Sequence, residues 1–205
     1  MVISVSHPQG SIEPHSSPAG RLSKRRRWAG SIAGILVLAG LLLGLSSCAN
    51  IKVSDYAEVG PPLVLEDFFT GKLTAHGVVK DRKGKVIRHF NATIDASWKD
   101  GIGTLDERFV FSDGERQTRV WRLEPTGDGR YRGSAADVIG DGDLRIAGNA
   151  LFLNYVLRTP YKDGTIDLRV DDRMYKVDES TIINESTLYK FGFRVGEIVL
   201  TLKRV

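Results

Sequence analysis

The sequence predicts an all-β domain, an antiparallel meander of about eight to ten strands closed into a barrel behind a short N-terminal plug helix. Three observations carry that prediction. From Lys72 onward, Gly-containing turns recur at intervals of roughly ten residues. Apolar and polar residues alternate between those turns. Beyond the plug, no window of helical period follows the apolar run near the N-terminus.

Before the domain comes a leader. Lys24, Arg25, Arg26 and Arg27 precede the apolar run Ala29–Leu45, which ends in Ser46-Ser47-Cys48 at the only cysteine of the chain. A charged start, an apolar middle and a small-residue end make a secretory signal peptide. Leu45-Ser46-Ser47-Cys48 resembles a bacterial lipobox. That resemblance implies cleavage before Cys48, acylation of its sulfur, and residues 1–47 as a lipoprotein signal peptide. The competing reading is a membrane-spanning helix, which needs about 20 apolar residues and finds this run only marginally long enough. Arg26-Arg27-Trp28 is faintly similar to a twin-arginine signal, but the general secretory route is favoured. In lipobox proteins an Asp after the Cys retains the product in the inner membrane. Ala49 stands there, which implies an outer-membrane anchor facing the periplasm.

Removing residues 1–47 changes the charge. The chain holds 29 Lys+Arg and 25 Asp+Glu, and the leader takes five bases (Arg21, Lys24, Arg25, Arg26, Arg27) and one acid (Glu13), leaving 24 of each. The basic pI belongs to the leader, and the usual electrostatic ground for nucleic-acid binding disappears. The remaining 158 residues suffice for one domain with a real core. With Cys48 acylated, no disulfide can form within the chain.

Residues 48–61 are expected to act as a tether, and 62–205 as a single β-barrel domain. Pro62 opens Leu63-Val64-Leu65-Glu66-Asp67-Phe68-Phe69, closed by Gly71, which suits one or two helical turns. The Phe pair would plug one end of the barrel. Candidate strands lie near 72–80, 86–98, 103–111, 116–124, 130–136, 143–148, 150–158, 165–172, 174–189 (as one strand or two pieces) and 194–204. Asp-Gly pairs at 100–101, 113–114, 128–129 and 163–164 supply the positive φ of tight hairpins.

Period 2 assigns the faces. Phe90, Ala92, Ile94, Ala96 and Trp98 share one side, as do Leu105, Phe109 and Phe111, then Ile166, Leu168, Val170 and Met174, and finally Ile198, Leu200 and Leu202. Closing such a meander removes its edges and leaves an interior wide enough for a small ligand. Four charges fall in phase with the apolar faces: Arg88, Glu107, Arg119 and Asp172. Buried charge is costly unless paired, so this set is the candidate ligand-binding cluster. The bland alternatives are strand ends on a solvated rim for Arg88 and Asp172, and a bulge turning Glu107 outward.

Other chemistries lack parts. His76 and His89 have no second ligand at metal spacing. Asp141-Gly142-Asp143 lacks the distal Glu of a calcium loop, and neither a Gly-x-Ser-x-Gly elbow nor a phosphate loop occurs. No metal and no cofactor is expected.

The segments Leu65-Glu66-Asp67-Phe68-Phe69-x-Gly71-Lys72-Leu73-x-Ala75-x-Gly77, Asp171-Asp172-Arg173-Met174-Tyr175 and Lys190-Phe191-Gly192-Phe193-x-Val195-Gly196-Glu197 resemble an uncharacterised proteobacterial lipoprotein family, the domain of unknown function thirty-eight thirty-three. The likeness spans roughly residues 50–204. His76 departs from it, since the family often has an aromatic there. The resemblance implies a lipoprotein of unknown activity, with no more than a hint of lipid handling and no established catalytic residue to carry over. A plug helix followed by a barrel is also similar to lipocalins and their calycin relatives, a likeness of fold alone. The preferred reading is therefore a binding module for an apolar, lipid-like molecule, attached to membrane lipid through Cys48. One alternative is an enzyme on a lipid-derived substrate, with Glu107 or Asp172 as acid–base group and Arg88 or Arg119 as anion clamp. Another is a scaffold for envelope proteins, which requires an exposed apolar patch.

Overall fold

Ten strands and nine short connections make up residues 71–204 of the computed structural model, which describes residues 51–205. The leader, Cys48 and the first residues of the tether lie outside the described residues. The strands are β1 (Gly71–Asp81), β2 (Val86–Lys99), β3 (Ile102–Phe111), β4 (Arg116–Gly127), β5 (Arg130–Ser134), β6 (Gly142–Ala147), β7 (Ala150–Tyr161), β8 (Gly164–Lys176), β9 (Thr181–Lys190) and β10 (Phe193–Arg204). Each pairs antiparallel with the next, and β1 pairs with β10 from Leu73↔Arg204 to Asp81↔Gly196, which closes the barrel. Closure pairs the two terminal strands with each other, so neither β1 nor β10 presents a free edge to another chain.

The predicted stretch 174–189 is two pieces. Met174–Lys176 completes β8, and β9 begins at Thr181. The break contains no glycine. Asp178 makes it by accepting hydrogen bonds on Oδ1 from the Ser180 backbone N–H (2.8 Å) and hydroxyl (3.0 Å), an Asx turn that alternation does not reveal. β5 stops at Ser134, short of the predicted 136. β5 and β6 are both short, and segment 135–141 fills the wall above them. Ile139 donates to the Val156 carbonyl and Arg158 to that of Asp137, so this segment lies along β7 and carries Asp137 toward the lumen.

One barrel end is sealed. The helix α1 (Leu65–Phe68) is a single turn, and Leu63, Leu65, Phe68 and Phe69 are all buried. The Trp98 indole N–H donates to the Phe69 carbonyl at 2.8 Å, and the Leu63 N–H donates to the Gly148 carbonyl at 2.8 Å. Trp98→Phe would leave the Phe69 carbonyl unpaired beside the core and is expected to lower stability by about 2 kcal/mol. Urea unfolding measures it, and an unchanged midpoint would show that the plug is not pinned there.

The described part of the tether is docked. Val53–Tyr56 forms a 3-10 turn, and the Tyr56 ring lies 5.8 Å from Phe152 and 5.3 Å from Tyr175, outward-facing residues of β7 and β8. Gly148, at φ +53°, makes room for it, because a Cβ there would collide with the Tyr56 carbonyl oxygen. The opposite end, formed by the β1–β2, β3–β4, β7–β8 and β9–β10 hairpins, is the mouth.

Candidate functional site

Alternation turns one face of every long strand inward, and those faces leave a cavity of about 730 Å³. Its floor is Leu65 and Phe69 of the plug. Leu105, Trp121, Leu153 and Leu200 are among its apolar walls, and Ile87, Arg88 and Pro160 stand toward the mouth. An enclosed volume of roughly 300–1,000 Å³ lined mainly by apolar side chains is typical of small-molecule sites.

All four candidate charges line this cavity, three of them on its inner wall and Arg88 at its mouth. Glu107 of β3 sits directly across from Arg119 of β4. Their contact is loose, 4.0 Å from Arg119 Nη1 to Glu107 Oε2. Arg119 is instead held by Asp137, with Nε donating at 2.9 and 3.2 Å and Nη2 lying 2.8 Å from Oδ2. Phe109 and Trp121 flank the guanidinium at 5.9 and 5.8 Å. Glu107 is left with a buried Oε2 that has no hydrogen-bond partner among the described residues. Burial raises its pKa to about 7; Arg119 opposes the shift, while Asp172 and Asp137 add to it. No bulge turns Glu107 outward, since the β3–β4 register runs unbroken from Gly103 to Val110.

Asp172 is not on the rim. It is 6% exposed, and its Oδ1 accepts hydrogen bonds from Ser186 Oγ (2.9 Å) and from Asn184 Nδ2. Burial pushes its pKa up, and those two hydrogen bonds restrain the shift. Tyr155, edge-on to Trp121 at 5.3 Å, is buried beside them. Burial, followed by the charge of Asp172, drives the Tyr155 phenol above its ordinary range.

Arg88 is the exception. It stands at the mouth, 2.7 Å from Asp113 and 2.5 Å from Glu115 of the β3–β4 hairpin, with its guanidinium 3.7 Å over the Phe111 ring. Its place near a strand end let two hairpin acids reach it, so it does not join the inner cluster.

Tyr155, Asn184, Ser186 and Asp137 belong to the site and escaped the sequence reading. The first three were legible in principle. Tyr155 is in phase with Leu151 and Leu153, and Asn184 and Ser186 with Ile182 and Leu188. Asp137 lies in a connection without period and gave no signal. Among the described residues, no three His, Cys, Asp or Glu side chains come together as metal ligands.

Comparison with known proteins agrees with the architecture. No curated protein matches the sequence. The S-type phycobiliprotein lyase CPES from Guillardia theta is similar in structure, with a TM-score of 0.50 and 12% identity, over 76% of this chain and 98% of that one. At that identity the similarity speaks for the fold alone, a lipocalin-like closed barrel. The sequence itself matches a family described as "Protein of unknown function (DUF3833)" over residues 42–204, and the chain belongs to that family.

Proposed function

We propose that this protein is an outer-membrane lipoprotein, anchored through a diacylglycerol on Cys48 at the periplasmic face, that holds an apolar, lipid-like molecule inside its barrel. The observation that carries the binding reading is the apolar lumen, floored by the plug and open between the hairpins. A filled interior would have spoken for a scaffold, and a barrel similar to that of a phycobiliprotein lyase is in keeping with a ligand-holding use. The lipobox-like Leu45-Ser46-Ser47-Cys48 after its apolar run supports the anchor.

The polar wall narrows the ligand. Arg88 and Arg119 are each already occupied by carboxylates, so a fatty-acid carboxylate finds neither guanidinium free. Glu107 Oε2 has no partner among the described residues and favours a ligand whose polar end donates a hydrogen bond, such as a hydroxyl or an amine.

Native mass spectrometry of protein extracted from membranes in mild detergent is expected to find a co-purifying molecule of lipid mass, released on denaturation. Protein that emerges only as apo species and takes up no added long-chain alcohol would sink the binding reading. Labelling cells with radioactive palmitate is expected to mark the wild type and not Cys48→Ala. Label retained by that variant would remove the anchor.

A further inference from the structure

We propose that the β1–β2, β7–β8 and β9–β10 hairpins together dock on an anionic phospholipid surface, their apolar tips in the interfacial layer and their Lys and Arg side chains on the head groups. The strand order β2-β1-β10-β9-β8-β7 makes these three hairpins consecutive around the mouth. Their tips expose large apolar side chains: Phe191 at 87%, Phe193 at 76%, Ile87 at 61% and Tyr161 at 55%. Around them stand Arg82, Lys83 and Lys85 on the first hairpin and Lys162 on the second; on the third, Lys190 donates to the Asp167 carbonyl and Arg194 pairs with Glu197. Acids are fewer there. Asp163 sits beside Lys162, Asp81 is engaged with the Lys83 and Lys85 backbone N–H groups, and Glu197 is engaged by Arg194 and Lys80. The β3–β4 hairpin across the mouth is different, with Asp113 and Glu115 closing on Arg88. The basic and apolar character is therefore one-sided.

The β9–β10 turn is the most telling part. Phe191 is held at φ +51° and Gly192 at +83°, a pair of left-handed residues where a tight hairpin favours Asn-Gly. A bulky aromatic in that conformation is a genuine outlier. Its ring is almost wholly in solvent, so intramolecular packing offsets little of the strain. A partner outside the chain gives the arrangement a use. Aromatic tips flanked by Lys and Arg suit the bilayer interface, where rings lie at head-group depth and cations meet anionic lipid. A protein interface would call for an apolar centre depleted in charge, which three separate hairpin tips ringed by cations do not make.

This docking stands on the hairpins and does not depend on what the lumen holds. Residues 51–205 contain the closed barrel, its plug and its core and form a compact unit of their own, so that length can be tested without an anchor. It is expected to co-sediment with vesicles of phosphatidylcholine plus phosphatidylglycerol, poorly with phosphatidylcholine alone, and less in high salt. Phe191→Ser with Phe193→Ser, and separately Lys83→Glu with Lys85→Glu, should each weaken that binding at least tenfold. Val110→Ser, an exposed site on the β3 exterior, should not. No binding to the anionic vesicles, or binding unchanged in both double variants, overturns the proposal. Uptake of an apolar probe by the Phe191→Ser/Phe193→Ser variant is expected to match the wild type, which separates failure of docking from failure of the lumen reading.

Discussion

Ala75→Trp is expected to lower affinity for an apolar probe such as N-phenyl-1-naphthylamine by at least tenfold while leaving the far-ultraviolet circular dichroism of the barrel intact. Ala75 lies on the inner face of β1, opposite Ala92 of β2 and Leu202 of β10, and it lines the lumen. The small side chain at 75 is part of what keeps that volume open. An indole at 75 has one direction to go, into the space a ligand would take. Overpacking a well-filled core costs about 1–3 kcal/mol, but here the new ring meets a cavity and strain should fall at the low end. Val120→Trp makes the control, because Val120 is exposed on the outer face of β4. Equal probe affinity in wild type and Ala75→Trp would show that binding lies outside the barrel.

Much of this architecture could be read before any coordinates, because hairpins are local. Asp100-Gly101 and Asp128-Gly129 end strands with φ of 53° and 52° at the Asp, as Asp-Gly pairs predict. Inner-face residues followed from period 2, and so did the inward placement of Glu107, Arg119 and Asp172. What stayed hidden was of two kinds. Some turns depart from the Asp-Gly pattern: Asp178 and Ser180 close the β8–β9 connection, Lys162 and not the Asp163-Gly164 pair takes the positive φ of the β7–β8 turn, and Phe191 takes a place before Gly192 that steric preference gives to Asn. Other facts are non-local. Pairing of β1 with β10 joins residues far apart in sequence, and Asp137 meets Arg119 only because β5 and β6 are too short to fill the wall. Strand periodicity places Arg88 and Arg119 alike, yet one is taken by hairpin acids and the other by a bridging segment. The guanidiniums that suggested an anion clamp are both engaged for that reason.

Glu107→Gln is expected to stabilise the protein at neutral pH, and the size of the gain should grow with pH across a defined window. In the folded chain the Glu107 carboxyl titrates at about 7, against an ordinary value of 4.5. Between those values the folded state holds a proton that the unfolded state has released. Stability therefore falls as pH rises through the window and levels off above it. The gap of 2.5 units, the difference between the two values, corresponds to roughly 3 kcal/mol at 1.36 kcal/mol per unit. Glu107 is 13% exposed, so solvent screening takes little from that figure. Asp172, also raised by burial, adds a slope of the same sign that persists in the variant, so the informative quantity is the wild-type curve minus the curve of the Glu107→Gln variant. Urea unfolding from pH 4 to pH 8 measures it, and parallel curves would mean that Glu107 is solvated or firmly paired. Ligand affinity supplies an independent reading. A polar end that donates a hydrogen bond favours the ionised carboxylate, so wild-type affinity for a long-chain amine or alcohol should rise through pH 7 while that of Glu107→Gln stays flat. A rise in affinity toward acid pH would mean instead that the protonated carboxyl is the donor and the ligand's polar end accepts.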